Sequence, residues 1–196
     1  MTDHPNDREH EAESAGRSPG RWTTFLAMIA TSIVTMFVLK YSNVWSADHL
    51  FFSQTRMWMA LMMGMAMVVI MLGFMWGMYR TRATKIAVTV GGLVLFALFL
   101  FLARSQRTVG DEAWMKAMIP HHSIAVLTSK RAQISDPRVR ELADRIIAAQ
   151  VREIEEMKLL LAEIEANGER GDGSLLPARS AELTPQMERE ARAAIR

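Results

Sequence analysis

Between Asp111 and His122 the chain reads Asp-Glu-Ala-Trp-Met-Lys-Ala-Met-Ile-Pro-His-His, placing two methionines and two adjacent histidines in one short segment. Thioether sulfur favours Cu(I) and imidazole accepts copper in either oxidation state, so this set points to soft-metal chemistry. At about 100° per residue, Met115, Met118 and His122 fall at i, i+3 and i+7, within about 60° of one another on an ideal helix. His121 is turned away by roughly another 60°, and Asp111 lies one turn before Met115 on the same strip. Further on, Gln150, Glu153 and Met157 repeat the spacing. Two such strips on facing helices are how bundles assemble metal sites, with Glu153 available to assist Cu(II) or another divalent ion. By spacing alone the methionines serve equally well as core filler, with the histidines capping hydrogen bonds around a turn loosened by Pro120.

Composition limits the alternatives. The 196 residues contain no cysteine, which excludes disulfides, thiolate metal sites and cysteine nucleophiles, so any transition-metal site must draw on His, Met, Asp or Glu. A net charge of +2, with arginines interleaved among glutamates, gives no reason to expect nucleic acid. There is no Gly-x-Ser-x-Gly elbow, phosphate-binding Gly loop or His-Glu-x-x-His motif. A di-metal carboxylate enzyme needs Glu-x-x-His pairs, and neither His121 nor His122 has a glutamate three residues before it. We therefore expect a protein that binds rather than converts.

The elements that must position these residues divide into a membrane half and a water-soluble half. Three apolar runs, 22–39, 57–79 and 86–103, contain no charged residue and are long enough at about 1.5 Å per residue to cross a hydrocarbon core of roughly 30 Å. The first follows a polar tail over 1–21 carrying charges of both signs, and no small-residue cleavage pattern comes after it, so it is expected to be a retained anchor. Lys and Arg weigh toward Arg8, Arg17 and Arg21 in the tail and Arg80, Arg82 and Lys85 in the second connection. That places both in the cytoplasm and the C-terminal part outside it, in the periplasm of a Gram-negative bacterium. Arg104 and Arg107, after the third run, weaken the asymmetry.

In the second run, Met59, Met63, Met67, Met71 and Met75 recur every fourth residue. Such a stripe can pass Cu(I) between thioethers, but it also packs as flexible filler, with Gly64, Gly73 and Gly77 permitting close helix approach; the absence of any ionisable or amide partner favours packing.

Beyond Arg104 the spacing predicts a helical hairpin over 104–167. Its first helix runs from Asp111 to Ile134, and its second opens at Asp136-Pro137, an N-cap followed by proline at the first helical position. Asn167-Gly168 supplies a left-handed stop. Val139, Leu142, Ala143, Ile146, Ile147, Ile154, Met157, Leu161 and Ile164 form the expected buried stripe. A loop over 168–184 leads to a short terminal helix, 185–196. Two helices cannot enclose a core alone, so pairing with a second copy, or packing against the last helix and the membrane half, is expected to complete it.

Met118-Ile-Pro-His-His-Ser-Ile-Ala125, Asp136-Pro-Arg-Val-Arg140, Ala143–Ile147 and Gln150-Val-Arg-Glu-Ile-Glu-Glu-Met157 closely resemble the domain of unknown function 305 family, over roughly Asp111 to Ile164. The resemblance implies an all-α, ferritin-like extracytoplasmic helical bundle with a metal-associated, mainly copper-associated, role. Carried over by position, Met115, Met118, His121, His122 and Met157 are its candidate ligands, with Gln150 and Glu153 in support. One departure is Thr128, where many relatives have a further methionine.

Two smaller features remain. Asp48-His49, in the first connection, is either an added ligand near the membrane or a polar loop contact. His4 and His10 lie in the polar tail and are expected to be solvated. The function expected overall is copper or similar soft-metal binding at a bacterial inner membrane, in metal homeostasis or resistance. A metal-free dimerisation or docking module of the cell envelope is the alternative.

Overall fold

The computed structural model describes residues 19–194, and among them the secondary structure is helical, with no strand. Residues 1–18 of the polar tail, including Arg8, Arg17, His4 and His10, lie outside the described residues, and its last three residues open the first helix. Six α-helices follow in order: α1 Pro19–Leu39, α2 Gln54–Phe74, α3 Arg82–Ser105, α4 Asp111–Arg131, α5 Pro137–Asn167 and α6 Pro185–Ala193. The chain forms two compact units. The first holds residues up to Ser42 together with Ser53–Ala113, and the second holds Asn43–Phe52 together with Trp114 onward.

In the first unit α1, α2 and α3 are each long and apolar enough to cross a membrane. Their core is small: Phe25, Ile29, Val68, Leu72 and Tyr79, with Trp22, Ile33 and Val88 packed around it. Leu26, Val34, Ile70, Phe74, Leu93 and Val94 are exposed. Helices apolar on the outside as well as the inside suit lipid and not water.

Gly64 and Gly92 set the close approaches. A Cβ on Gly64 would run into Cγ1 and Cδ1 of Ile33, and one on Gly92 would come within 3.2 Å of Val69 Cγ2. Gly73 and Gly77 have nothing within 4 Å of that position, so the expected contact role falls to Gly64 and to Gly92 instead. The methionine stripe divides, with Met67, Met71 and Met75 packing against the core beside Met65, which is not part of the stripe, and Met59 and Met63 outward. Although the apolar run continues to Tyr79, α2 stops at Phe74, where Met75 caps it ahead of a short 3-10 turn at Trp76–Met78. Apolar composition does not mark that break.

In the second unit α4 and α5 are antiparallel: Arg140 near the start of α5 donates to Ser129 O near the end of α4 at 3.0 Å, while Glu153 lies beside His122, farther back along α4. Asp136 caps α5 by accepting from Arg138 N at 2.9 Å, and Pro137 occupies its first turn. Gly168 ends it with φ 78° and ψ 171°, a positive φ but an extended ψ, so the expected left-handed cap is not adopted. Helix α4 is continuous across the buried Pro120.

Of the predicted α5 stripe, Ala143, Ile154 and Met157 are buried and Ile147, Leu161 and Ile164 pack against the core, but Val139, Leu142 and Ile146 are exposed. The hairpin buries only one strip of α5, and the terminal helix does not close the remainder, since every described residue from Pro185 to Ala194 is exposed.

Candidate metal centre

The core of the second unit is where the methionines meet. Met115 and Met157 are buried there with Ile119, Val126 and Ile154, and Met118 packs against them. The antiparallel register explains the meeting. Met118 stands one turn before His122 on α4 and Met157 one turn after Glu153 on α5, so fixing the His122–Glu153 pair also sets the two thioethers opposite one another.

His122 Nδ1 lies 3.2 Å from Glu153 Oε2. The approach is off the line a hydrogen bond requires, and this buried nitrogen has no hydrogen-bond partner. Gln150 Nε2 donates to the same Glu153 oxygen at 3.4 Å. Burial holds His122 below the usual imidazole pKa, against the Glu153 carboxylate, which raises it; His121 lowers it further. The ring is therefore neutral at neutral pH, the form in which imidazole binds metals.

His121 is exposed, with its ring centroid 6.2 Å from that of His122 and tilted by 58°. Adjacent residues on a helix diverge by about 100°, so the pair does not act as one chelate. Asp111 is likewise exposed, at the far end of α4. Thr128 is exposed as well, its hydroxyl donating back to Ile124 O at 3.0 Å and Ala125 O at 3.2 Å. Of the seven predicted site residues, Met115, Met118, Met157, His122, Glu153 and Gln150 thus share the inner side of the hairpin, and His121 does not. Among the described residues no three His, Asp or Glu side chains converge into a group fit to hold a metal ion. Any site here depends on sulfur.

The segment Asn43–Phe52 packs on this hairpin, a contact that no local sequence pattern marks. Ser123, with no exposure, accepts from Trp45 N at 2.7 Å, and its Oγ lies 2.9 Å from His49 Nδ1. Asp48 hydrogen-bonds Ser46 and pairs with Lys158 of α5. Lys130 Nζ stands 4.9 Å over the Trp45 ring, and Phe51 packs against the methionine core. Asp48-His49 is thus a polar contact of the loop. Burial lowers the His49 pKa, Asp48 opposes that, and Lys158 adds to it.

Ser123, His49 and Asp48 superficially resemble a hydrolytic triad, with His49 Nε2 3.7 Å from Asp48 Oδ2. Ser123 is fully buried and already accepts a backbone N–H, so its oxygen is not presented to a substrate carbonyl.

Residues 102–194 match the model of a family described as Domain of unknown function (DUF305). A relative, "Uncharacterized protein L153" of Acanthamoeba polyphaga mimivirus, is 29% identical over 144 residues, covering 70% of this chain and 93% of that protein. That span is longer than the family segment, so the likeness extends beyond the hairpin into the residues ahead of it. No solved structure matches.

Proposed function

We propose, for a chain whose residues 102–194 are a domain of unknown function 305 joined to three candidate membrane helices, that the helical hairpin binds a soft metal ion, copper first, through His122 and the thioethers around it. The observation that carries this reading is the buried, unpartnered His122 Nδ1 beside Glu153 Oε2, on the side of the hairpin where Met115, Met118 and Met157 cluster.

The residues fit such an ion. Two ligand atoms sharing a tetrahedral ion at about 2.0–2.1 Å stand roughly 3.3 Å apart, with each atom off the other's lone-pair axis. The His122–Glu153 separation of 3.2 Å with poor hydrogen-bond alignment is of that kind. His122 and Glu153 would hold the ion together with sulfur from Met118 and Met157, Met115 standing behind them. Gln150 orients the carboxylate by its hydrogen bond, as outer partners do in metal sites. A thioether-rich set selects Cu(I) over hard divalent ions. The role that follows is buffering, sensing or handing on copper in metal homeostasis, with no chemical conversion.

We place the hairpin, as part of a ferritin-like domain, on the extracytoplasmic face of a bacterial inner membrane. Three crossings put the first connection and the C-terminal domain on the same side, and the packing of Asn43–Phe52 on the hairpin supports that arrangement. A metal-free docking or dimerisation module is the second reading, favoured by the exposed Val139, Leu142 and Ile146.

The test is a Cu(I) titration of the full chain in detergent under reductant, against a chromophoric chelator, with Cu(II) and Zn(II) in parallel. Tight Cu(I) binding that is lost in His122→Asn and in Met118→Leu/Met157→Leu, with helicity unchanged, is expected. A wild-type protein that never competes for Cu(I) overturns the metal reading and leaves the docking one.

A further inference from the structure

At one end of the membrane unit, the start of α1 and the turn after α2 enclose a cleft of about 450 Å³. Its walls are Phe25, Met28, Met75, Met78 and Tyr79, and Arg21 stands among them. The inner wall is firm: Phe25 and Tyr79 are buried, Trp22 lies 4.3 Å from Tyr79 between ring centroids, and Phe25 lies 6.1 Å from Tyr79. The outer wall is soft, because Met28 and Met78 are exposed thioethers free to re-pack around a guest.

The charge around this cleft is of one sign. Arg21, Arg80 and Arg82 gather at this end, and no Asp or Glu occurs between residues 14 and 47 or between 49 and 110. Lys85 is already committed, donating to Trp76 O at 2.9 Å with its ammonium 4.6 Å from the Trp76 ring. One Arg21 nitrogen donates to Met78 O at 3.3 Å, and among the described residues its other donors have no acceptor. Trp22, Trp76 and Tyr79 are the aromatic residues that settle at headgroup depth in a bilayer. An apolar cleft with a guanidinium at its mouth, at that depth, matches a molecule with an anionic head and a hydrocarbon tail.

We propose that this cleft is a binding site for an anionic phospholipid, its phosphate held by the Arg21 guanidinium and one acyl chain lying along Met28, Met75 and Met78. Basic pockets at helix ends recognise acidic headgroups in this way. A soft cation would find three thioethers here too, but the guanidinium repels it.

The full chain in neutral detergent, delipidated and then exposed to equal amounts of phosphatidylglycerol and phosphatidylcholine, is examined by native mass spectrometry. One phosphatidylglycerol retained per chain in preference to phosphatidylcholine is expected. Arg21→Gln should weaken that preference about fivefold, the effect of one basic residue at a membrane surface. Met28→Trp, which fills the cleft and leaves the charge, should abolish retention. Equal retention of both lipids, or a preference that neither variant alters, overturns the site. So does loss of the lipid to millimolar inorganic phosphate, which would make it a plain anion site, or stoichiometric Ag(I) uptake that Met28→Trp removes.

Discussion

His49 Nδ1 lies 2.9 Å from Ser123 Oγ, joining two residues 74 positions apart and tying the connection between the first two membrane helices to the hairpin. The same oxygen accepts from Trp45 N. Ser123→Ala leaves Trp45 N without its acceptor and His49 Nδ1 without its hydroxyl partner in a part-buried place, at a cost of about 1–2 kcal/mol. The full chain in detergent should unfold at a lower temperature, and hydrogen exchange over Asn43–Phe52 should speed up while α4 keeps its protection. Unaltered exchange in that segment would mean the bond does not hold the loop. Lys158→Ala should matter less, because its partner Asp48 is largely exposed and solvent screens the pair.

His49 and His122 both have pKa values lowered chiefly by burial. A lowered value in the folded state means that the native protein binds fewer protons than the unfolded chain. Stability is therefore full above the ordinary histidine value of 6.5 and declines as pH falls below it toward the lowered native values. Thermal midpoints should be level from pH 8 to 7 and fall toward pH 5, and His49→Gln should flatten that decline. A midpoint that rises on acidification contradicts the assignment. Because His122 stays neutral at pH 7, Cu(I) affinity should be flat above neutrality and weaken only under acid, when a proton competes for the imidazole.

Local patterns made the three helices long and apolar enough to cross a membrane, the Asp136-Pro137 start and the two facing strips of Met, His and Glu side chains legible, since each is written in residues within a few turns of one another. The divergence of His121 from His122 followed from helix geometry in the same way. The docking of Asn43–Phe52 did not, because Ser123 is an unremarkable small polar residue until a nitrogen from 78 positions away is brought to it. Likewise Val139 and Leu142 share the apolar periodicity of Ile154 and Met157, yet only the latter pair faces α4. Periodicity marks an apolar strip but not how much of it a single partner helix covers.

Thr128 tests whether a further methionine belongs to the inner site. It is exposed, its hydroxyl is turned back onto Ile124 and Ala125 carbonyls, and it lies two turns from His121 on the outward strip. Thr128→Met should therefore leave Cu(I) affinity within about twofold, while Met118→Leu lowers it by tenfold or more, the ratio expected when a soft ligand is lost with fold and volume conserved. A large gain from Thr128→Met would move the site to the outer face, around His121.

The membrane unit offers a parallel test of packing. In an isolated helix Gly→Ala is favourable by about 1 kcal/mol. At Gly64, however, the added carbon meets Ile33 at Cγ1 as well as Cδ1, so turning the tip of that side chain away does not relieve the overlap. Overpacking of this kind costs about 1–3 kcal/mol, which outweighs the propensity gain. Gly64→Ala should lower the thermal midpoint measured by circular dichroism in detergent, and Ile33→Ala combined with it should restore part of the loss, although Ile33→Ala alone destabilises. Gly73→Ala meets nothing within 4 Å and should be neutral or stabilising. If Gly64→Ala and Gly73→Ala behave alike, α1 and α2 do not approach each other at Gly64.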